Sequence, residues 1–362
     1  MSNKLIIEKR KENKQVVEFC EKFVSSFSLP KYLFGRNVYA NDIVKQIQVD
    51  GFIDDYCAEE TYLNIPIVRL DEIPKNSLVL VLSGGSIKSA MRRVASFDIE
   101  HLDYFSFYKN SGLKLRDIIF NENFQQEFQE NSSKFEWIYN LLNDDLSRKQ
   151  FMGLLNFKLS YDIDFLKDFN YLEDKQYFED FLELEMKGEV FVDIGGYDGY
   201  TSEEFIKKSP QYETVYLFEP DNKNLLKAKE RLKDYSNVFF YNIGLSNKKE
   251  TLRFDLGGSG SKISKDGLIE IQVDKLDDCI EKKVTFIKMD IEGAESKAIE
   301  GAKNTIMKYH PTMAISVYHK IEDFWSIPKQ ILDIRDDYKI YLRHYTESIY
   351  ETVMFFIPIK KD

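Results

Sequence analysis

The sequence predicts an α/β protein built on two sheets, a smaller one within the first hundred residues and a larger one in the second half, with helices between them. Three observations predict this. Short apolar runs at 31–35, 47–53, 65–68 and 78–82 alternate with helical-looking stretches such as 41–47 and 86–95, the pattern of parallel strands joined by crossover helices. Residues 106–185 carry almost no strand pattern; Phe135, Ile138, Tyr139 and Leu142 recur at helical spacing. From residue 189 onward the strand–helix alternation returns, and glycines and acids gather where the strands end.

These observations divide the chain into an N-terminal α/β domain over 1–105, a helical connector over 106–185 and a C-terminal domain over 186–362. A helical stretch over 6–27 precedes Pro30. In the last region 189–194 is a buried strand, 195–199 a glycine loop and 201–208 a helix. A second strand over 214–218 ends in Glu219-Pro220, and Asp221 can cap the helix that carries Leu225, Ala228, Leu232 and Tyr235 on one face. Strands follow at 238–243, 284–289 and 312–317, with a β-pair at 251–256 and 268–273 around GGSGSK. A helix over 295–308, a helix near 327–334 and a closing pair at 340–342 and 352–357 complete the sheet.

Composition excludes several classes. With 43% apolar and 31% charged residues among 362, the chain can bury large cores, and it is neither a disordered chain nor a disulfide-stapled mini-protein. Lys and Arg number 50 against 61 Asp and Glu, a net charge of -11 without a basic block, which argues against nucleic acid bound through its phosphates. Cys20, Cys57 and Cys279 are scattered without metal-type spacing and suit a reducing compartment. The charged N-terminus lacks an apolar signal core. The longest apolar runs are strand-sized, where a membrane helix needs ~20 residues. A soluble, cytoplasmic protein is expected. No heptad run or long apolar stripe speaks for a particular oligomer.

The chemistry gathers in three motifs. VFVDIGGYDGYT delivers Asp193 at a strand end, then Gly195, Gly196 and Gly199, then a helix. Glycines there let backbone approach a ligand beside helix N–H groups; an ordinary tight turn is the plain structural alternative. Glu219 ends the next strand, where an acid can accept hydrogen bonds from ribose hydroxyls; capping the following helix is its structural alternative. KMDIEGAE then brings Asp290, Glu292 and Glu295 to a third strand end. Acids beside a buried strand are costly unless paired, hydrated or useful, although a solvated place at a helix start suits Glu295.

DIGGYDGYT, LFEP and FIKMDIEGAE with the following Gly301-Ala302 resemble, in order and spacing, the FkbM family of S-adenosylmethionine-dependent methyltransferases over 186–320. SVYHKIEDFW, YLRHYTES, LLNDDLSR and QYF resemble a subgroup of it. One departure is Gly196, where the family usually has Ala. The resemblance implies a seven-stranded class I methyltransferase-like, Rossmann-like sheet and an O-methyltransferase acting on a sugar hydroxyl of a glycan, lipid-linked or nucleotide-linked acceptor in surface glycoconjugate synthesis. It implies S-adenosylmethionine over Asp193, Gly195, Gly196 and Gly199, Glu219 on the ribose, Asn242 near the adenine edge, and Asp290 near the methionine end or the acceptor.

A sugar hydroxyl is a poor nucleophile, so a base or a metal would help. His319, directly after the fifth strand, is the candidate base, with Asp290 orienting it or sharing a divalent cation with it; a hydrogen-bonded structural histidine is the alternative. His344 is assigned a substrate-side or supporting role, His101 and His310 structural ones.

In the first region, LFGRNVYA holds one glycine, Gly35, where a dinucleotide fingerprint wants three. GFIDD resembles the N-terminal Rossmann-like domain of bacterial sugar-modifying enzymes, and LSGGS is a second glycine turn. A nucleotide-sugar site and a degenerate scaffold both fit. Tyr171 and Lys175 with Ser160 carry the spacing of an NAD-dependent sugar oxidoreductase, the competing enzyme reading. A scaffold whose transferase domain is inactive is the third; the intact Asp193, Gly195, Glu219 and Asp290 argue against it.

Overall fold

The computed structural model describes residues 4–255, 262–263 and 269–359. The chain opens with helix α1 (Lys14–Ser25), shorter than the expected 6–27. Asn13 starts it by accepting the Gln15 amide, while Ile6 and Glu8 instead pair their backbone with the side chain of Asn156. The first sheet follows, from β1 (Lys31–Phe34), β2 (Gly51–Ile53), β3 (Thr61–Tyr62), β4 (Ile65–Val68), β5 (Leu78–Val81) and β6 (Glu100–Asp103). Its order is β3-β4-β2-β1-β5-β6, parallel except for β3. Helices α2 (Val38–Val44), α3 (Ile87–Ala95) and α4 (Tyr104–Asn110) connect or follow these strands. All four residues of β5, Leu-Val-Leu-Val, are buried, as expected of a strand covered on both faces.

Two long helices, α5 (Phe124–Leu141) and α6 (Asp145–Ser160), come next. Asp144 caps α6 through the Ser147 amide, and Tyr161 ends it in the left-handed conformation. The helical expectation fails beyond this point. Residues 161–189 hold only short 3-10 turns at Ile163–Leu166 and Glu173–Lys175. The segment is pinned by contacts to the C-terminal sheet, such as the Leu172 amide on the Tyr345 carbonyl, in place of its own helical bonds.

The C-terminal sheet contains β7 (Val190–Ile194), β8 (Thr214–Phe218) and β9 (Val238–Tyr241). A side sheet of β10 (Gly244–Leu245), β11 (Glu250–Asp255), β12 (Lys262–Ile263) and β13 (Ile269–Asp274) interrupts it. The large sheet resumes with β14 (Phe286–Met289), β15 (Thr312–Ser316), β16 (Tyr338–His344) and β17 (Thr352–Pro358). β11 and β13 pair antiparallel, Thr251 opposite Gln272, as the sequence suggested; residues 257–261 of the GGSGSK loop, with Leu256 and Leu268, lie outside the described residues. The large sheet has the order β16-β17-β15-β14-β7-β8-β9, with β17 antiparallel to both neighbours and the other pairings parallel.

The helices of this half are α7 (Tyr200–Lys208), α8 (Asn222–Arg231), α9 (Leu276–Cys279), α10 (Glu295–Gly301), α11 (Lys303–Tyr309) and α12 (Asp323–Ile334). The single helix expected over 295–308 is divided at Ala302, beside Gly301, whose Cα sits so close to the Ser246 carbonyl that a Cβ would lie 2.0 Å from its oxygen. One hydrophobic cluster runs from Phe23 and Leu33 through Phe135 and Phe151 to Ile287 and Ile315. The helices α5 and α6 therefore share buried apolar contacts with both sheets. Between β7 and β14 the strand order reverses, and the carboxyl ends of these strands open a crevice there.

Candidate active site

The β7 strand is buried at every position and ends in a turn that tolerates no side chain at Gly195. Gly195 has φ +78°, and a Cβ there would lie 2.0 Å from the Asp290 carbonyl oxygen. The amides of Gly195 and Gly196 both donate to the Phe218 carbonyl at 3.0 Å, tying the turn to β8. Gly199, at φ +83°, opens α7. The Asp193 side chain faces the interior. It is fully buried, accepts the Ser202 hydroxyl at 2.7 Å and pairs with Lys288 at 3.2 Å. Lys288 in turn donates to the Gly195 carbonyl at 2.7 Å. The expected cofactor acid thus braces the glycine turn from behind.

Glu219 stands on the other side of the turn. Its carboxylate accepts the Tyr197 amide at 3.0 Å and the Asp221 amide at 2.8 Å. Burial pushes Glu219 up to about 7 against the pull of these amides and of Lys288. The amide nitrogen of Asn242 is spent on the Glu219 and Pro220 carbonyls, both at 3.0 Å. That leaves its Oδ1 as the group able to accept.

At the ends of β14 and β15 the structure assembles an acidic cluster around one histidine. His319 Nδ1 is 2.9 Å from Glu295 Oε1. Its Nε2 is 3.4 Å from Asp290 Oδ1 and 3.6 Å from Glu292 Oε2. Glu295 Oε1 also accepts the Ile291 amide at 2.9 Å. Glu295 is fully buried and is not the solvated helix-start acid the sequence suggested. Asp290 and Glu292 keep 22% and 30% of their side chains exposed, so the cluster opens on their side. Burial disfavours the imidazolium of His319, but Glu295 first, then Asp290 and Glu292, outweigh it and hold its pKa up at about 10. Burial raises Glu292 and Glu351 to about 7 and Asp323 to about 8.

The connector completes this cluster, which sequence reasoning did not foresee. Tyr177 donates its hydroxyl to Asp290 Oδ2 at 2.6 Å, and Gln176 donates to Glu351 Oε2 at 2.5 Å. Glu351, on the loop before β17, also accepts the Tyr318 hydroxyl at 3.0 Å. Phe120 packs edge-on against Tyr318 and His319, held by the buried ammonium of Lys158 on its carbonyl at 2.8 Å. Phe120, Tyr177, Glu292 and Glu351 all have positive φ, between 54° and 70°. Non-glycine residues held there are strained, and these four come from separate segments to one place. The available signal was QYF, residues 176–178.

His344 lies apart from this arrangement. It is buried between Thr352 and Thr346, and burial lowers its pKa to about 3. His101 and His310 bond backbone carbonyls. In the first sheet, the LSGGS turn leads into α3, whose Ser89 amide and hydroxyl are taken by the Glu347 carboxylate at 2.7 and 2.9 Å. Tyr171, distant from any glycine loop in sequence, comes against Gly85 of that turn in space.

The large sheet, counted from β7, runs 3-2-1-4-5-7-6 with its seventh strand antiparallel, the order of class I methyltransferases. A family profile described as a methyltransferase FkbM domain matches residues 193–345. Over those residues the chain is similar to FkbM methyltransferases. The crystal structure of the methyltransferase FkbM from Methylobacillus flagellatus KT matches its fold with a TM-score of 0.73 at 23% identity. That match covers 95% of this chain and 93% of the other, so the likeness in fold includes the N-terminal sheet and the connecting helices. The chain is also 27% identical over 151 residues to the 2-O-methyltransferase NoeI of Sinorhizobium fredii, covering 34% of this chain. The chain spans 62% of that curated relative's length. Among the described residues no helix is long and apolar enough to cross a membrane.

Proposed function

We propose that the chain transfers the methyl group of S-adenosylmethionine to a hydroxyl of a sugar acceptor. The observation that carries this reading is the adjacency of two half-sites at one topological switch point. The glycine turn and Glu219 lie at β7 and β8, and the Asp290–His319 cluster lies one strand away, at β14 and β15. The 2-O-methyltransferase relative supports an oxygen acceptor.

The residues present fit the cofactor. Gly195, Gly196 and Gly199 form the turn over which it would lie, with Glu219 accepting ribose hydroxyls and Asn242 Oδ1 facing an adenine amine. Asp193 acts indirectly, by fixing the turn through Ser202 and Lys288. When bound, S-adenosylmethionine supplies a methyl group on a sulfonium cation, a charge the acidic surroundings favour. Methyl transfer is an in-line displacement, so alignment of the hydroxyl dominates the rate.

Asp290 and His319 are the catalytic pair. Asp290 presents Oδ1 on the open side of the cluster while Tyr177 holds Oδ2, and His319 stands behind it, oriented by Glu295. Asp290 takes up the proton that the hydroxyl loses, and His319 positions its carboxylate. In the first sheet, Glu347 on the start of α3 favours a scaffold role for the LSGGS turn.

Calorimetric titration with S-adenosylhomocysteine and with NAD, followed by transfer assays on sugar nucleotides, tests the proposal. Micromolar binding of the first ligand with methyl transfer to a sugar hydroxyl is the expected result. Binding of NAD alone overturns it.

A further inference from the structure

The geometry points to a divalent-cation site of the magnesium–manganese class at Asp290, Glu292 and His319, a deepening that rests on the methyltransferase reading above. The decisive atom is His319 Nε2. The side chain is 1% exposed, and among the described residues Nε2 has no hydrogen-bond partner, yet it stands 3.4 Å from Asp290 Oδ1 and 3.6 Å from Glu292 Oε2. A buried polar atom without a partner calls for an explanation such as an unseen ion. Two ligands that each lie ~2.1 Å from one cation are ~3–4 Å apart, so these separations already match.

The other ring nitrogen is arranged as metal-bound histidines require. Nδ1 faces Glu295 Oε1 at 2.9 Å, and that oxygen is itself fixed by the Ile291 amide. A carboxylate on the far nitrogen sets the tautomer and aims the near one at the metal. A ligand atom from each of Asp290, Glu295 and His319 falls within 4.8 Å of the others. Glu292 is nevertheless the better third ligand. Glu295 is walled in and engaged with Nδ1, whereas Glu292 and Asp290 face the side where an acceptor must enter. The Tyr177 hydroxyl on Asp290 Oδ2 plays the same orienting part for the carboxylate.

The two carboxylates without thiolate suit magnesium or manganese, and the single imidazole favours manganese of the two; the open side leaves positions for water and the acceptor. There the cation would bind the acceptor hydroxyl and lower its pKa. In the transfer the O–CH3 bond forms as the S–CH3 bond breaks; the products are the ether, S-adenosylhomocysteine and one proton, which leaves through Asp290 to water.

The test uses Mn2+ as probe on the full chain, read by electron paramagnetic resonance and calorimetry, with and without S-adenosylhomocysteine. One equivalent of bound Mn2+ is expected. Glu292→Gln and His319→Gln should each weaken it by ~10-fold or more, with far-UV circular dichroism unchanged for at least the partly exposed Glu292→Gln. Glu295→Gln should weaken it less than Glu292→Gln. Absence of Mn2+ binding in both conditions overturns the site, as does unchanged affinity in Glu292→Gln and His319→Gln. S-adenosylhomocysteine binding, read in the same titrations, reports separately on the methyltransferase reading.

Discussion

The Tyr177 hydroxyl donates to Asp290 Oδ2 at 2.6 Å across 113 residues of sequence. Tyr177 is buried, and both Asp290 and Glu351 stand near its ring, which with burial raises its own pKa well above the ordinary value. It therefore stays a proton donor throughout the useful pH range. Its φ of +70° shows the backbone bent to bring it there.

Removing that hydroxyl isolates its role. Tyr177→Phe should lower kcat ~10-fold or more, as expected for loss of a hydrogen bond to a charged group worth about 1.5–3 kcal/mol. Affinity for S-adenosylhomocysteine should stay within about twofold, since Tyr177→Phe keeps the ring that lies 5.2 Å from the Lys288 ammonium behind the glycine turn. A kcat left intact, with only thermal stability reduced, would assign Tyr177 to structure alone.

Glu219 gives the cofactor site a pH dependence. Its carboxyl titrates at about 7 in the folded protein, and only the ionised form can accept from both ribose hydroxyls while holding its two amides. S-adenosylhomocysteine affinity should therefore fall as pH drops below about 7, by up to ~10-fold per unit. In Glu219→Gln the affinity should be weaker and flat between pH 6 and 8. Calorimetry across that range decides it.

The Asp193–Lys288 pair is buried on both sides, with 0% and 4% of the side chains exposed. Asp193→Ala leaves an ammonium without its partner and should cost about 3–5 kcal/mol. This variant alone does not separate cofactor binding from folding. The double variant Asp193→Asn with Lys288→Met should recover much of that stability in urea denaturation, yet bind S-adenosylhomocysteine less tightly, because the brace behind Gly195 is gone. Wild-type affinity in the double variant would remove Asp193 from the cofactor site.

Gly196 is enforced here by Leu217. A Cβ at 196 would lie 2.4 Å from Leu217 Cγ, and Leu217 is fully buried. Gly196→Ala should destabilise by about 1–3 kcal/mol through overpacking, and Leu217→Val in the same chain should restore part of it. Urea midpoints for the single and double variants are the measurement.

The elements that were legible in sequence are those whose neighbours are local or generic. β7, β8, β14 and β15 are continuous apolar runs buried on both faces, and the glycines and acids that follow them sit within a few residues of a strand end. Helix α8 announces itself through the Asp221 cap and its apolar face. Residues 161–189 were not legible, because aromatic spacing of three and four reads as helix, whereas their backbone and side chains are satisfied by groups far away in sequence. LLNDDLSR and YLRHYTES meet in the same way: Asp144 pairs with Arg343 at 2.6 Å, a contact neither motif announces alone.

By itself, then, the sequence determined the two-sheet α/β plan, the turn at Gly195 and the candidate residues Asp193, Glu219, Asp290 and His319. These follow from local periodicity, turn chemistry and the place where strands end. Only the tertiary structure decided that Asp193 faces inward to Lys288, that Glu295 is buried against His319, and that Tyr177, Gln176 and Glu351 complete the cluster. The physical reason is that a buried polar group is defined by its partner, and here the partners lie up to 175 residues apart, as for Gln176 and Glu351.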